Sequence, residues 1–336
     1  MTSPGILPCQ SIEALIADGA IASATAWAKD QVQPSSLDLR LGARAWRVRA
    51  SFLPGAGQGI AERLDRVSMH ELDLTRGAVF EKGCVYIAEV QERLALPSGV
   101  SARANPKSST GRVDVFVRLL TETGGTFDDV PEGYSGKLFL EIAPQTFSVL
   151  ARSGTRLNQL RMRQGKANPT RMTSVGVDLT LEIVGFRARR HAGIIDLDKV
   201  GAHDPRDYWE PLSARHGELV LDPGEFYILA SKESIEIPAD EAAEMTPIDP
   251  SVGEFRVHYA GFFDPGFGTP EAHGQGSRGV LEVRSHETPF LLEDGQTVAR
   301  LVYERLSERP SRLYGDSGSH YQSQGLKLSK HFSAWR

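Results

Sequence analysis

A chain of 336 residues exceeds one ordinary domain, and its 40% apolar and 24% charged content is that of a folded globular protein, so two domains with sizeable cores are expected. A net charge of −5 argues against a duplex nucleic-acid binder or a membrane-surface protein, and Cys9 and Cys84 are too few for a disulfide framework or a thiolate zinc cage. No window approaches 18 consecutive apolar residues, and MTSPGILPCQ has no basic stretch followed by an apolar one, so the expected location is cytoplasmic with no membrane association.

In chain order the first element is a short helix at SIEALIADG, where Ser11 stands as an N-cap, Ile12, Leu15 and Ile16 share a face, and Gly19 supplies a stop. Beyond it the chain is short apolar alternation broken by Gly, Pro, Asp and Asn, in SLDLRLG, KGCVYIAEV, KLFLEIAP and TFSVLARSG. That spacing predicts the strands of a barrel or sandwich. The fold class is therefore mainly β with a short N-terminal helix.

The chain also repeats itself. SSLDLRLGARAWRVR, from Ser35, resembles SVGVDLTLEIVGFRAR, from Ser174, through a shared Asp-Leu. Gly83, Pro97, Glu141 and Gly154 recur as Gly224, Pro238, Glu282 and Gly295, all at one constant offset. The repeat implies two homologous β-domains, roughly 1–165 and 166–336.

The repeat acts as an internal control on NPKSSTGR, Asn105 to Arg112. This cluster of two cations, two serines and a glycine has no counterpart in copy two, where Ile248, Asp249 and Pro250 occupy the region. A scaffold requirement should recur in both copies, whereas a ligand site can be lost from one. Lys107, Ser108, Ser109 and Arg112 offer ammonium, hydroxyl and guanidinium donors, and Gly111 lets the backbone approach a ligand; a few charge-assisted bonds of about 1.5–3 kcal/mol each would hold a polyphosphate. The stretch is not a Walker A loop. Taken alone it also fits a polar hairpin loop with incidental charges.

The order QPSSLDLRLG, PKSSTGR, GYSGKLFLEI, SGTRLNQL and the C-terminal GSHYQSQGLKLSK resembles the dCTP deaminase branch of the dUTPase-like superfamily. The resemblance implies two tandem distorted β-barrels, a catalytic first copy and a degenerate second copy carrying the phosphate-closing tail. It implies a homo-oligomer, with a trimer favoured, and active sites at subunit interfaces. On the matching positions it implies Glu141 as catalytic acid and base, with Ser108 and Arg112 beside the reacting base. Lys107, Ser109 and Gln159 would meet the triphosphate, and Tyr314, His320 and Gln324 would cover it. The implied reaction is hydrolysis of dCTP to dUTP and ammonia in pyrimidine deoxynucleotide metabolism. One carboxylate can take the proton from water and return one to the ring nitrogen and the leaving amine. The zinc deaminase signatures H-x-E and P-C-x-x-C are missing, so the reaction should be zinc-independent, with no protein-bound cofactor and Mg2+ only as counterion of the triphosphate. The alternatives are a dUTP diphosphatase or a bifunctional enzyme that also hydrolyses dUTP, and a non-catalytic nucleotide-binding regulator.

Several positions depart from the family pattern. The Asp-Pro-Gly-aromatic turn is intact only in copy two, at Asp264–Phe267, and Asp129 is the nearest equivalent aspartate in copy one. Lys107 stands where arginine is usual and supplies a point charge rather than a fork. His320 stands where lysine is common, which would weaken phosphate binding at higher pH. Arg112 is expected near Glu141, and deleting residues after Arg312 is expected to abolish turnover while leaving the protein folded.

Overall fold

The computed structural model describes residues 3–55, 58–248, 255–258, 261–285, 287–316 and 321–335. It divides into two compact units. The first comprises Met1–Ala167 together with two short segments from further along the chain, Ile194–Lys199 and Leu306–Ser311; the second takes Asn168–Gly193, Val200–Arg305 and Arg312–Arg336.

The first unit is built on one nearly closed barrel sheet of 11 strands. Its principal strands run in the order Asp129–Val130, Val100–Pro106, Arg156–Gln164, Ser36–Val48, Val85–Ala95, Ser135–Pro144 and Val115–Thr121, each antiparallel to its neighbours. Alternation dictates the packing, because Leu37, Leu39 and Leu41 fall on one side of their strand and are all fully buried. Residues 194–199 add a parallel strand to Val149–Ala151, with Ile195 opposite Val149 and Arg152 bonded to Asp196 at 2.7 Å. Residues 306–311 lie along the N-terminal segment, where Ser307 N–H donates to the Ile6 carbonyl at 2.9 Å and the Ser11 hydroxyl to Glu308 at 2.8 Å.

The N-terminal helix runs Cys9–Ala17 and is capped by Pro8 without a side-chain bond. The expected cap, Ser11, therefore sits inside the first turn and turns its hydroxyl outward to Glu308. Gly19 does stop the helix, at φ +77°. A second helix, Ile60–Val67, escaped the alternation reading; it buries Ile60 and Leu64 against Val48, Ile87, Leu120 and Phe139.

The second unit holds a five-stranded sheet, Trp209–Leu212, Gly185–Ala188, Phe226–Ile235, Ser277–Ser285 and Phe255–His258. Beside it are a four-stranded sheet, Pro169–Gly176, Thr297–Arg305, Glu241–Pro247 and Phe262–Phe263, and a two-stranded one, Glu218–Leu221 with Phe290–Glu293. Its registers repeat those of the first unit. Glu141 faces Ile87 as Glu282 faces Ile228, and Leu160 faces Ala104 as Leu301 faces Met245, all at the offset of the repeat. One expected match is displaced. Gln159 faces Asp38, whereas Arg300, its counterpart at that offset, faces Ser174 rather than Leu179, the counterpart of Asp38. Asp38 and Asp178 are thus not equivalent, and their shared Asp-Leu is a chance echo of two alternating strands.

Candidate active site

Pro106 ends a strand, and the chain then makes a single helical turn, Ser108–Gly111, with Lys107 at its cap. Thr110 and Gly111 N–H donate to the Lys107 carbonyl at 2.8 and 3.0 Å, and Lys107 N–H donates to the Leu157 carbonyl at 3.0 Å, which fastens the turn to the strand carrying Gln159. Ser109 and Arg112 are buried, while Ser108 is half-buried and is the more accessible hydroxyl. The Lys107 ammonium forms an ion pair with the buried Asp38 carboxylate, which also receives Arg156 at 3.4 Å. Arg156 reaches on to Asp30 at 2.8 Å, and that hydrogen bond holds the Asp30 carboxyl below its usual range. Lys107 therefore acts in this fold as the tie between the serine turn and the Asp38 strand. Gln159, opposite both Asp38 and Asn105, accepts a bond from Ser36 at 3.4 Å.

Glu141 lies in the middle of its strand with Ile87 on one side and Arg118 on the other, and only 1% of its surface is exposed. Its Oε1 accepts Arg118 Nε at 3.0 Å and Nη2 at 2.5 Å. Its Oε2 is buried and has no hydrogen-bond partner among the described residues. Arg118 is itself held, with Phe127 3.5 Å and Phe116 4.8 Å from its guanidinium and the Ser51 hydroxyl at 3.1 Å. The guanidinium on Glu141 is thus Arg118, not Arg112 as expected. The reason is cross-strand register, which sets Arg118 directly opposite, whereas Arg112 precedes the strand and belongs to the serine turn.

A second carboxylate, distinct from Asp129, lies near this pair. Asp129 is exposed on a two-residue strand, while Asp128, at φ +61°, turns its carboxylate back to accept Leu119 N–H at 2.7 Å. Burial pushes the Asp128 carboxyl up to about 7; the Leu119 bond, Arg118 and Arg103 pull it down, and Glu141 adds to the rise. Sequence reading missed both Arg118 and Asp128, although cross-strand register from the Glu141 strand would have singled out Arg118.

Tyr314 and Gln324 lie in the second unit. Tyr314 N–H donates to the Pro265 carbonyl at 2.8 Å and its ring lies 5.4 Å from that of Phe267, both in the Asp264–Phe267 turn. Gln324 donates to the Arg278 carbonyl at 2.9 Å. Gln322, also missed, spans the same turn by donating to Ala272 and Gly266 carbonyls at 2.7 and 3.2 Å and accepting Gly268 N–H at 3.0 Å. His320 and the copy-two residues Asp249 and Pro250 lie outside the described residues. The tail then buries Tyr321, Leu328, His331 and Phe332, the last with its ring tilted against Tyr208 and edge-on to Trp209. Removing everything after Arg312 would take these side chains out of the second unit, so truncation is expected to destabilise that unit as well as to affect turnover.

A buried carboxylate with one oxygen fixed by arginine and the other without a partner among the described residues, in a barrel that also carries a serine turn, is an arrangement suited to proton transfer. Among the described residues no group of three or more His, Cys, Asp or Glu side chains is placed to hold a metal ion, and no helix is long and apolar enough to cross a membrane. The chain belongs to the 2′-deoxycytidine 5′-triphosphate deaminase family, whose N-terminal domain matches residues 3–166 and whose C-terminal domain matches residues 155–332. The crystal structure of 2′-deoxycytidine 5′-triphosphate deaminase from Agrobacterium tumefaciens is similar at 51% identity and a TM-score of 0.86, over 90% of this chain and 99% of that one. A Beutenbergia cavernae protein named "dCTP deaminase, dUMP-forming" is 33% identical over 42% of this chain and 74% of its own length. A Halobacterium salinarum protein of the same name is 34% identical, but the match spans 53% of its length and 32% of this chain.

Proposed function

We propose that this enzyme hydrolyses dCTP to dUTP and ammonia without zinc, with Glu141 as the proton-transfer group. The observation that carries the reading is the split environment of that carboxylate: Oε1 is locked by Arg118 while the buried Oε2 has no partner among the described residues. A buried carboxylate oxygen without a partner among the described residues is positioned to take a proton from water as the water attacks C4 of cytosine. The same carboxyl delivers that proton to N3, then takes the proton of the new C4 hydroxyl and passes it to the amine, which leaves as ammonia as the C4 carbonyl forms. Ser108, the accessible hydroxyl of its turn, orients the water. Arg112, Ser109 and Gln159 serve the base and triphosphate, and Mg2+ accompanies the nucleotide as counterion. Tyr314, His320 and Gln324 are the proposed phosphate-covering residues, and the working form is a cytoplasmic homo-oligomer, with a trimer favoured, that supplies dUTP to pyrimidine deoxynucleotide synthesis.

A second reading is a bifunctional enzyme that also hydrolyses dUTP to dUMP and pyrophosphate. It is favoured by the dUMP-forming names of several relatives and by a second carboxylate, Asp128, beside the Glu141–Arg118 pair. Incubation with dCTP, and separately dUTP, followed by nucleotide chromatography and ammonia and pyrophosphate assays, tests both. Ammonia with dUTP, lost in Glu141→Gln, supports deamination; dUMP with pyrophosphate adds the second step. Turnover of dCTP undiminished in Glu141→Gln would sink the assignment.

A further inference from the structure

Each unit has its own small outlying sheet, and the two are finished differently. In the first, Val149–Ala151 lies antiparallel to Ala78–Phe80, with Val149 opposite Phe80, and its other side is covered by the parallel strand Ile195–Asp196. In the second, Phe290–Glu293 lies antiparallel to Glu218–Leu221 in the same register, with Phe290 opposite Leu221. Among the described residues no strand covers the other side of Phe290–Glu293. The surface there is apolar: Leu291 and its cross-strand neighbour Val220 are 45% and 51% exposed, whereas Leu150 and Val79, at the matching positions, are half-buried.

The charges invert as well. Arg152, next to the covered strand, bonds Asp196 at 2.7 Å and Asp198 at 2.8 Å, and Gly77 stands across from it, where an added Cβ would come within 3.2 Å of the arginine stem. The matching positions in the second unit are Glu293 and Glu218, directly opposite one another, and among the described residues neither is in an ion pair. Like charges facing across an antiparallel pair repel, and a cation set between them relieves the repulsion.

We propose that the open edge of Phe290–Glu293 docks an extended basic segment of a partner protein. The segment adds as a parallel strand in the manner of residues 194–199 and places a lysine or arginine between Glu218 and Glu293. In the first unit Ile195 and Leu197 N–H donate to the Ser148 and Leu150 carbonyls at 3.0 Å each, and the matching acceptors are the carbonyls of Pro289 and Leu291. This is strand addition, with backbone bonds supplying affinity and side chains supplying choice. The chain's own 194–199 segment is acidic and engaged in the first unit, and the corresponding stretch of copy one, PGAGQG at 54–59, has no apolar alternation.

The test uses the full chain and two synthetic peptides copying residues 193–200, one native and one with Asp196→Lys and Asp198→Lys, with binding read by fluorescence anisotropy. The lysine peptide is expected to bind at least tenfold more tightly than the native one and to slow hydrogen exchange in residues 288–294. Glu293→Arg should reverse the preference without changing dCTP turnover, and Glu293→Gln, a milder change, should reduce it. Failure of both peptides to bind, equal binding of the two, a preference unmoved by either variant, or protection confined to other residues would overturn the proposal.

Discussion

Glu141 and Glu282 occupy the same place in their sheets, opposite Ile87 and Ile228, and both are buried. Across the next strand their surroundings part, for Glu141 meets Arg118 and Glu282 lies opposite His258. The serine turn shows the same divergence: Asp38 tethers Lys107 in the first unit, whereas Ser174 and Ile248 stand at the matching places in the second. A backbone register needs only ladder hydrogen bonds and apolar alternation, so it survives the exchange of nearly every functional side chain. A site needs particular groups at particular registers, and a few cross-strand substitutions are enough to remove it.

The comparison breaks most visibly if the tail is removed. Deletion after Arg312 strips Tyr321, Leu328 and Phe332 from the second unit, a loss of about 5–9 kcal/mol at 1.5–3 kcal/mol per buried side chain, while the first unit keeps its own core. Calorimetry should show the second unit's transition lost or far lowered, and a truncated protein melting like the full chain would refute this. Next in size is the contrast between the two glutamates. Glu141→Gln should lower kcat by about 10³-fold, and Glu282→Gln should leave it within about twofold, measured as ammonia release from dCTP. Equal losses would mean that the second unit's carboxylate also takes part.

Arg118→Met tests what distinguishes the two settings. Leaving Glu141 buried without its cation should cost about 3–5 kcal/mol in urea denaturation, and Arg118→Lys should restore part of it. The smallest expected effect concerns Asp128. Its folded-state value near 7 lies above the ordinary 3.8, so between those values the folded protein holds a proton that the unfolded chain has released. The contribution of Asp128 to stability therefore falls as pH rises from about 4 to 7. Asp128→Asn should flatten that slope and stabilise the protein above pH 7 by about 1–2 kcal/mol, a figure reduced for solvent screening. A slope unchanged in the variant would assign it to another group.

Much of this was legible in the chain itself. Alternation gave away the strands, and the spacing of Gly83, Glu141 and Gly154 against Gly224, Glu282 and Gly295 gave away the repeat, because turn glycines and strand phase are set locally. The absence of a second serine turn drew attention to Ser108 and Arg112. The helix at Ile60–Val67 was hidden by its short length and its charges, and the Asp38–Asp178 match misled because one alternating strand looks much like another.

By itself the sequence determined the β class, the two-copy organisation and the candidacy of Glu141, since each is written in local periodicity or in repetition at fixed spacing. Only the tertiary structure decided that Arg118 rather than Arg112 holds Glu141, that Lys107 is bound to Asp38, and that Asp128 turns back to accept Leu119 N–H. It alone decided that residues 194–199 complete a sheet of the first unit while the matching edge of the second is left open among the described residues. Those facts depend on which strands become neighbours and in what register, and pairing between residues far apart in the chain is settled by packing the whole sheet rather than by any stretch of it.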